Sequence, residues 1–200
     1  GVSAELDDAA LHPHDIAKSK IYYMEGYLAA SPTGLNAALK GRQIAKDAHV
    51  ALALTLSDVS MIQFCKAGLD AMLGDGVDYL FCNQEEAQVW CGTQDLEEVR
   101  SQLKKLAKMV CMTRGPEGSE VMTAEQTWHV PAEKVKAIDT NGAGDMFAGS
   151  FLYAIARGYS PEQAAKLGNH TAAAVVSQHG NRLTLGQLSA IKAYALPAHQ

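Results

Sequence analysis

The sequence predicts an α/β fold, a doubly wound and mostly parallel sheet with helices on both faces. Two observations carry this expectation. Short apolar runs alternate regularly with helical stretches, the order that joins parallel strands through helices. Aromatic residues are sparse, at 6%, while Ala, Gly and Leu are plentiful, a mix that favours helices packed on a sheet over an all-β sandwich. With 200 residues, 48% hydrophobic and 20% charged, the chain has enough apolar material for a real core and is not a disordered polymer. We read residues 1–200 as a single domain.

Lys20 to Leu28 (KIYYMEGYL) reads as a strand and its exit. Ser31-Pro32-Thr33 then marks a helix start, with Pro in the first turn, and Thr33 to Ala48 has loosely helical apolar spacing. His49 to Leu56 (HVALALTL) is a continuous apolar run, as expected of a strand buried on both faces. Val59 to Leu73 is a helix that Gly74 is placed to end. Tyr79 to Cys82 is a short strand, Glu85 to Trp90 and Leu96 to Lys108 are helices, and Met109 to Met112 is a further strand. Glu120 to Thr123 and Thr127 to Val130 are short, antiparallel and nearer an edge. Ala143 to Arg157, Pro161 to Gln178 and Leu185 to Tyr194 complete the chain as helices.

In doubly wound folds, ligands sit beyond the carboxyl ends of strands. Glu25-Gly26, Ser57-Asp58, Asn83 to Glu86 and Thr113 to Gly118 occupy those positions. The strongest local signal comes later, at Asp139-Thr140-Asn141-Gly142-Ala143-Gly144-Asp145, which feeds directly into an apolar helix. Two glycines let the backbone approach a ligand closely. The free N–H groups at the helix start, with the positive end of its dipole, form an anion site. Asp145 falls in the first turn, where the dipole favours an ionised carboxylate able to take a proton from an attacking alcohol. The amides of Gly142, Ala143 and Gly144 would steady the transferring charge, so the segment holds the minimum machinery for phosphoryl transfer. An Asp in the first turn is also a common cap and Gly-Ala-Gly a common turn, so spacing alone leaves both readings open. The segment is neither a P-loop nor a dinucleotide G-x-G-x-x-G, since Phe147 stands where a third glycine would be.

Composition narrows the partners. A net charge of −5 gives no general attraction to nucleic acid. No apolar run approaches the ~20 residues of a membrane span, and the first eight residues do not read as a signal peptide. Cys65, Cys82, Cys91 and Cys111 form no C-x-x-C pair, which we read as reduced thiols in a cytoplasmic protein.

Asp139 to Asp145 with its Phe- and Gly-bearing helix resembles the C-terminal signature of the PfkB (ribokinase-like) carbohydrate and nucleoside kinases. Asn83-Gln84-Glu85-Glu86 resembles the family's N-x-x-E motif, Thr113 to Gly118 its T-x-G-x-x-G segment, and Gly168-Asn169 with Thr171 to Gly180 the helix that flanks the nucleotide base. Glu25 to Leu28 and Thr55 to Asp58 lean towards the adenosine-kinase-like branch. The resemblance implies a three-layer ribokinase-like sandwich and an ATP- and Mg²⁺-dependent transfer to a sugar or nucleoside hydroxyl. It implies Asp145 as catalytic base and Gly142, Ala143 and Gly144 as anion hole. Asn83 and Glu86 correspond to the pair that organises Mg²⁺ through water. Thr113, Gly115 and Gly118 correspond to positions along the phosphates and ribose, and Asn169 to one near the adenine. Asp139 begins a loop that in many relatives binds a monovalent cation such as K⁺.

Family members run to about 300 residues, so this chain corresponds to their nucleotide-binding and catalytic two-thirds, without the N-terminal part that holds lid and acceptor site. The resemblance therefore also leaves room for an N-terminal segment or second chain completing the fold, and for a homodimer. The rival expectation is a non-catalytic nucleotide-binding or regulatory protein on the same fold. Minor candidates read more plainly. His12 and His14 with Asp15 suggest a solvated loop rather than a metal site, and His170 and His179, on one helix, suggest surface or nucleotide-rim positions. Arg114 can touch a phosphate or sit in a loop. Lys104, Lys105 and Lys108 form a solvated face of the helix that carries Glu97 and Glu98.

Overall fold

Strands Ile21–Glu25 (β1), Ala51–Thr55 (β2), Val77–Asn83 (β3), Ala107–Thr113 (β4), Ser119–Met122 (β5) and Thr127–Val130 (β6) follow one another across a six-stranded sheet in chain order. The structure is a computed structural model that describes residues 6–197. β1 pairs parallel with β2 and β2 with β3, in a register that sets Met24 beside Leu54 and Leu54 beside Leu80. β5 and β6 are antiparallel, and β6 is an edge strand, as the sequence suggested. The chain divides after Val110 into two compact units.

In the first unit, helices Pro13–Lys18 (α1), Pro32–Asp47 (α2), Val59–Leu73 (α3), Gln84–Cys91 (α4) and Leu96–Leu103 (α5) accompany β1 to β3. Local chemistry fixes their starts. Ser31 caps α2 by accepting the Gly34 N–H at 3.1 Å, with Pro32 in the first turn, and Asp58 caps α3 by accepting the Ser60 N–H at 2.7 Å. α2 packs against β1 and β2 with Ala37, Ala38 and Ala45 buried. The three central residues of β2 are buried, which explains why its sequence lacks alternation. Two expectations are corrected here. The helix foreseen over Leu96 to Lys108 stops at Leu103, and Lys108 lies on β4, paired with Asp78 at 2.7 Å, so the three lysines share no helix face. His12 is exposed and precedes α1, as expected of a solvated loop, but His14 and Asp15 lie exposed in the first turn of α1.

In the second unit, helices Ala143–Ala156 (α6), Pro161–Val176 (α7) and Leu185–Ala195 (α8) pack in succession, and α7 lies on β5 and β6. Ser160 with Gln163, and Thr184 with Gln187, form reciprocal capping boxes that start α7 and α8. Phe147, Phe151 and Leu167 are buried in this core, and Gly168 lets α7 approach the Phe147 ring. His179 lies beyond the end of α7, so it shares no helix with His170. No described helix is long and apolar enough to cross a membrane.

Candidate active site

The second unit holds a cavity of about 560 Å³, within the range of small-molecule sites. Thr113, Gly115, Gly118, Ala143, Gly144 and Asn169 all line it, so six residues singled out in three separate segments meet around one space.

The start of α6 forms one end of this cavity. Asp139 Oδ1 accepts the Asn141 N–H at 3.0 Å and tightens the turn ahead of the helix. Gly142 then takes a left-handed conformation, φ 78° and ψ 4°, as the cap. A Cβ there would also lie 2.6 Å from that of Asn181, so the position has neither the backbone freedom nor the space for a side chain. The helix begins with the Met146 N–H on the Gly142 carbonyl at 2.9 Å, and no side chain caps it. Among the described residues the N–H groups of Gly142, Gly144 and Asp145 meet no acceptor. Ala143 differs from expectation: its N–H donates to the Thr140 carbonyl at 3.3 Å, so the Asp145 amide takes its place among the free donors. Gly144 and Asp145 are exposed, so an anion can reach the site and the carboxylate stays hydrated.

Thr113 ends β4, and a 3-10 turn at Gly115–Glu117 follows. The Arg114 N–H donates to the Gly118 carbonyl at 2.8 Å and closes the turn. Gly118 has φ 97°, and a Cβ there would collide with the backbone of Val130 to Ala132. The Arg114 guanidinium is held by Glu117 at 2.6 Å and by the buried Glu120 at 2.9 Å, so this arginine braces the turn. Asn169 is 6% exposed, and its side-chain N–H₂ donates to the Val130 and Pro131 carbonyls at 2.8 and 3.2 Å. It lines the cavity as a strut that fixes the chain leaving β6.

In the first unit, Asn83 and Glu86 form a reciprocal capping box at the start of α4. Glu86 Oε2 accepts the Asn83 backbone N–H at 3.0 Å, Glu86 Oε1 accepts from Asn83 Nδ2 at 2.6 Å, and the Glu86 N–H donates to Asn83 Oδ1 at 2.8 Å. Burial pushes the Glu86 carboxyl above its usual range, opposed by the Asn83 N–H and reinforced by Asp58 and Glu85. With both oxygens engaged, Glu86 fits Mg²⁺ only at a distance, and the described residues hold no cluster of three or more metal-ligating His, Cys, Asp or Glu. Glu25, the last residue of β1, accepts from the Ser57 hydroxyl at 3.4 Å.

Ala172, Ala173 and Val176, inside the Thr171 to Gly180 stretch likened to the helix flanking the base, join Asn169 at helical spacing along α7. Other cavity residues escaped the motifs. Residues 132–137 supply another wall from a segment with no periodicity to read.

The family model described as pfkB family carbohydrate kinase matches residues 2–187. The chain belongs to this family. Among curated pfkB relatives, the 5-dehydro-2-deoxygluconokinase of Bacillus licheniformis is 30% identical over 83% of this chain and 53% of its own. The adenosine kinase of Schizophyllum commune is 29% identical over 80% of this chain and 52% of its own. The adenosine kinase structure from Sinorhizobium meliloti superposes with a TM-score of 0.91 at 30% identity, covering 96% of this chain and 59% of that one. A probable sugar kinase from Rhizobium etli gives 0.90 at 31% identity, covering 96% and 59%. The chain thus spans about half the length of these curated relatives. Its α/β fold, a six-stranded sheet flanked by helices, is that of ribokinase-like proteins.

Proposed function

We propose that this pfkB-family chain is the nucleotide-binding and catalytic part of a cytoplasmic kinase that transfers the γ-phosphate of ATP to a hydroxyl of a sugar or nucleoside. The observation that carries the proposal is the uncapped start of α6, where free amides and an exposed Asp145 adjoin a largely apolar cavity. The cavity takes the nucleotide, with base and ribose against α7 and the Thr113 to Gly118 turn. The amides of Gly142, Gly144 and Asp145 hold the transferring phosphoryl oxygens, where fixed donors act most strongly as charge develops. The Asp145 carboxylate takes the proton of the attacking hydroxyl. Asn83 and Glu86 would hold Mg²⁺ through water, and the ion would supply neutralisation of phosphate charge. Asp139, whose carboxylate is committed to Asn141, would serve K⁺ through its loop's backbone. Residues 1–200 serve as one catalytic domain.

The test is ADP release from ATP with a panel of sugars and nucleosides, using this chain and a longer form that includes the rest of a family-length protein. Asp145→Asn should lower turnover about 10²- to 10⁴-fold, the usual contribution of a general base, while ATP affinity holds. Turnover within a factor of two of the unmodified protein would refute the role of Asp145. ATP binding without phosphorylation of any acceptor, even in the longer form, would favour a non-catalytic nucleotide-binding protein.

A further inference from the structure

Residues 131–139 run from the end of β6 towards α6 without regular structure, and five of them line the cavity. This strap is anchored near its ends. Asn169 holds the Val130 and Pro131 carbonyls, and the Val176 carbonyl receives the N–H groups of Ile138 and Asp139 at 2.7 and 3.3 Å. Among the described residues no hydrogen bond holds 134–137. One further anchor sits between: Glu133 Oε1 lies 3.2 Å from Nδ1 of His170. His170 follows Asn169 on α7, its side chain only 12% exposed, with its ring edge-on to Tyr194 at 5.0 Å.

We propose that His170 is a positioning residue for the nucleotide cavity: through Glu133 it fixes the strap that forms the cavity's open wall, and so sets nucleotide affinity. The identity of the ligand rests on the kinase reading above; the tether itself does not. Three features argue for it. A largely buried imidazole among the alanines of α7 is a costly choice for packing alone, because its nitrogens need partners. Its partner is itself a cavity-lining residue. The unheld span 134–137 begins at the residue after that partner, so the position of this wall depends on that contact. The charged and titratable groups facing the ring are Glu133 from the strap, Lys166 from its own helix and Tyr194 from α8. Burial, helped by Lys166 and opposed by Glu133, holds the imidazole below its ordinary range.

The experiment measures amide hydrogen exchange of residues 132–137 and ATP affinity on the same chain, with the thermal midpoint as a control for folding. His170→Phe keeps a ring against Tyr194 but removes the ring nitrogen, and Glu133→Ala removes the carboxylate. Both should speed exchange in the strap and weaken ATP binding roughly three- to tenfold, the worth of one polar contact, with little change in midpoint. His170→Asn, which places an N–H donor near the Nδ1 position, and Glu133→Gln should restore both readouts. The Phe–Ala double variant should be no weaker than either single. Unchanged strap exchange in His170→Phe overturns the tether whatever ATP does. Faster exchange with unchanged ATP affinity overturns the positioning role. If the unmodified chain binds no ATP, the kinase reading falls and the role towards nucleotide with it, while exchange still decides whether the tether exists.

Discussion

Replacing Gly144 by alanine separates the cost to the protein from the cost to its ligand. Gly144 is the second residue of α6, exposed and without a left-handed φ, and a Cβ built on it meets nothing within 4 Å. Alanine in a helix is favoured over glycine by about 0.5–1 kcal/mol, so Gly144→Ala should leave stability unchanged or raise it, by up to about 2–4 °C in thermal midpoint for a chain of this size. A phosphate held by the Gly144 and Asp145 amides lies at hydrogen-bond distance from the backbone, where an added methyl competes with its oxygens. Losing one such charge-assisted bond costs about 1.5–3 kcal/mol, which is about 10- to 150-fold in affinity. Calorimetric titration with ATP reads the affinity, and differential scanning calorimetry reads the midpoint. Gly149→Ala is the control: it lies on the same helix, is exposed, and a Cβ there also meets nothing within 4 Å, so it should gain stability with affinity unchanged. Equal ATP affinity in Gly144→Ala and the unmodified chain would refute the backbone cradle, because a ligand that tolerates the methyl does not approach those amides.

Gly118→Ala should cost more than the ~1 kcal/mol of a left-handed alanine, because the obstructing atoms are backbone of Val130 to Ala132; chemical denaturation checks this, and a loss below 1 kcal/mol would contradict it. Arg114→Met takes the guanidinium away from Glu120, whose side chain is 1% exposed and lies 3.4 Å from His129, and should destabilise by about 3–5 kcal/mol; Arg114→Met with Glu120→Leu should recover much of that. The raised carboxyl of Glu86 makes the native state bind its proton more readily than the unfolded chain, so this group contributes stability as pH falls through its folded value towards 4.5. Glu86→Gln should remove that contribution, so that between pH 7 and about 4.5 the unmodified chain gains stability relative to the variant. A constant difference across the range would show that Glu86 titrates normally.

The fold was largely legible because the signals that set it are local. Ser31-Pro32 and Asp58 start helices through their own side chains, Gly74 ends one through its own backbone, and the apolar run of β2 reports burial on both sides. The helix placed over Leu96 to Lys108 ran too long because charged residues satisfy either a solvated helix or an edge of a strand, and the pairing of Lys108 with Asp78 is set by another part of the chain. The motif residues could be named from their order, but their meeting around one cavity could not, since Thr113 and Asn169 are 56 positions apart and only packing joins them. Nor did the sequence show which donors are already used: that Ala143 gives its N–H to Thr140, that Asn169 spends its amide on two carbonyls, or that Glu86 is closed upon Asn83.

By itself the sequence determined the elements, their parallel order and the family's chemical vocabulary, because propensity, capping and hydrophobic periodicity act over a few residues. Only the tertiary structure decided which polar groups remain available to a ligand and which wall of the cavity is held by His170, because hydrogen bonds are exclusive and their competitors come from distant segments of the chain.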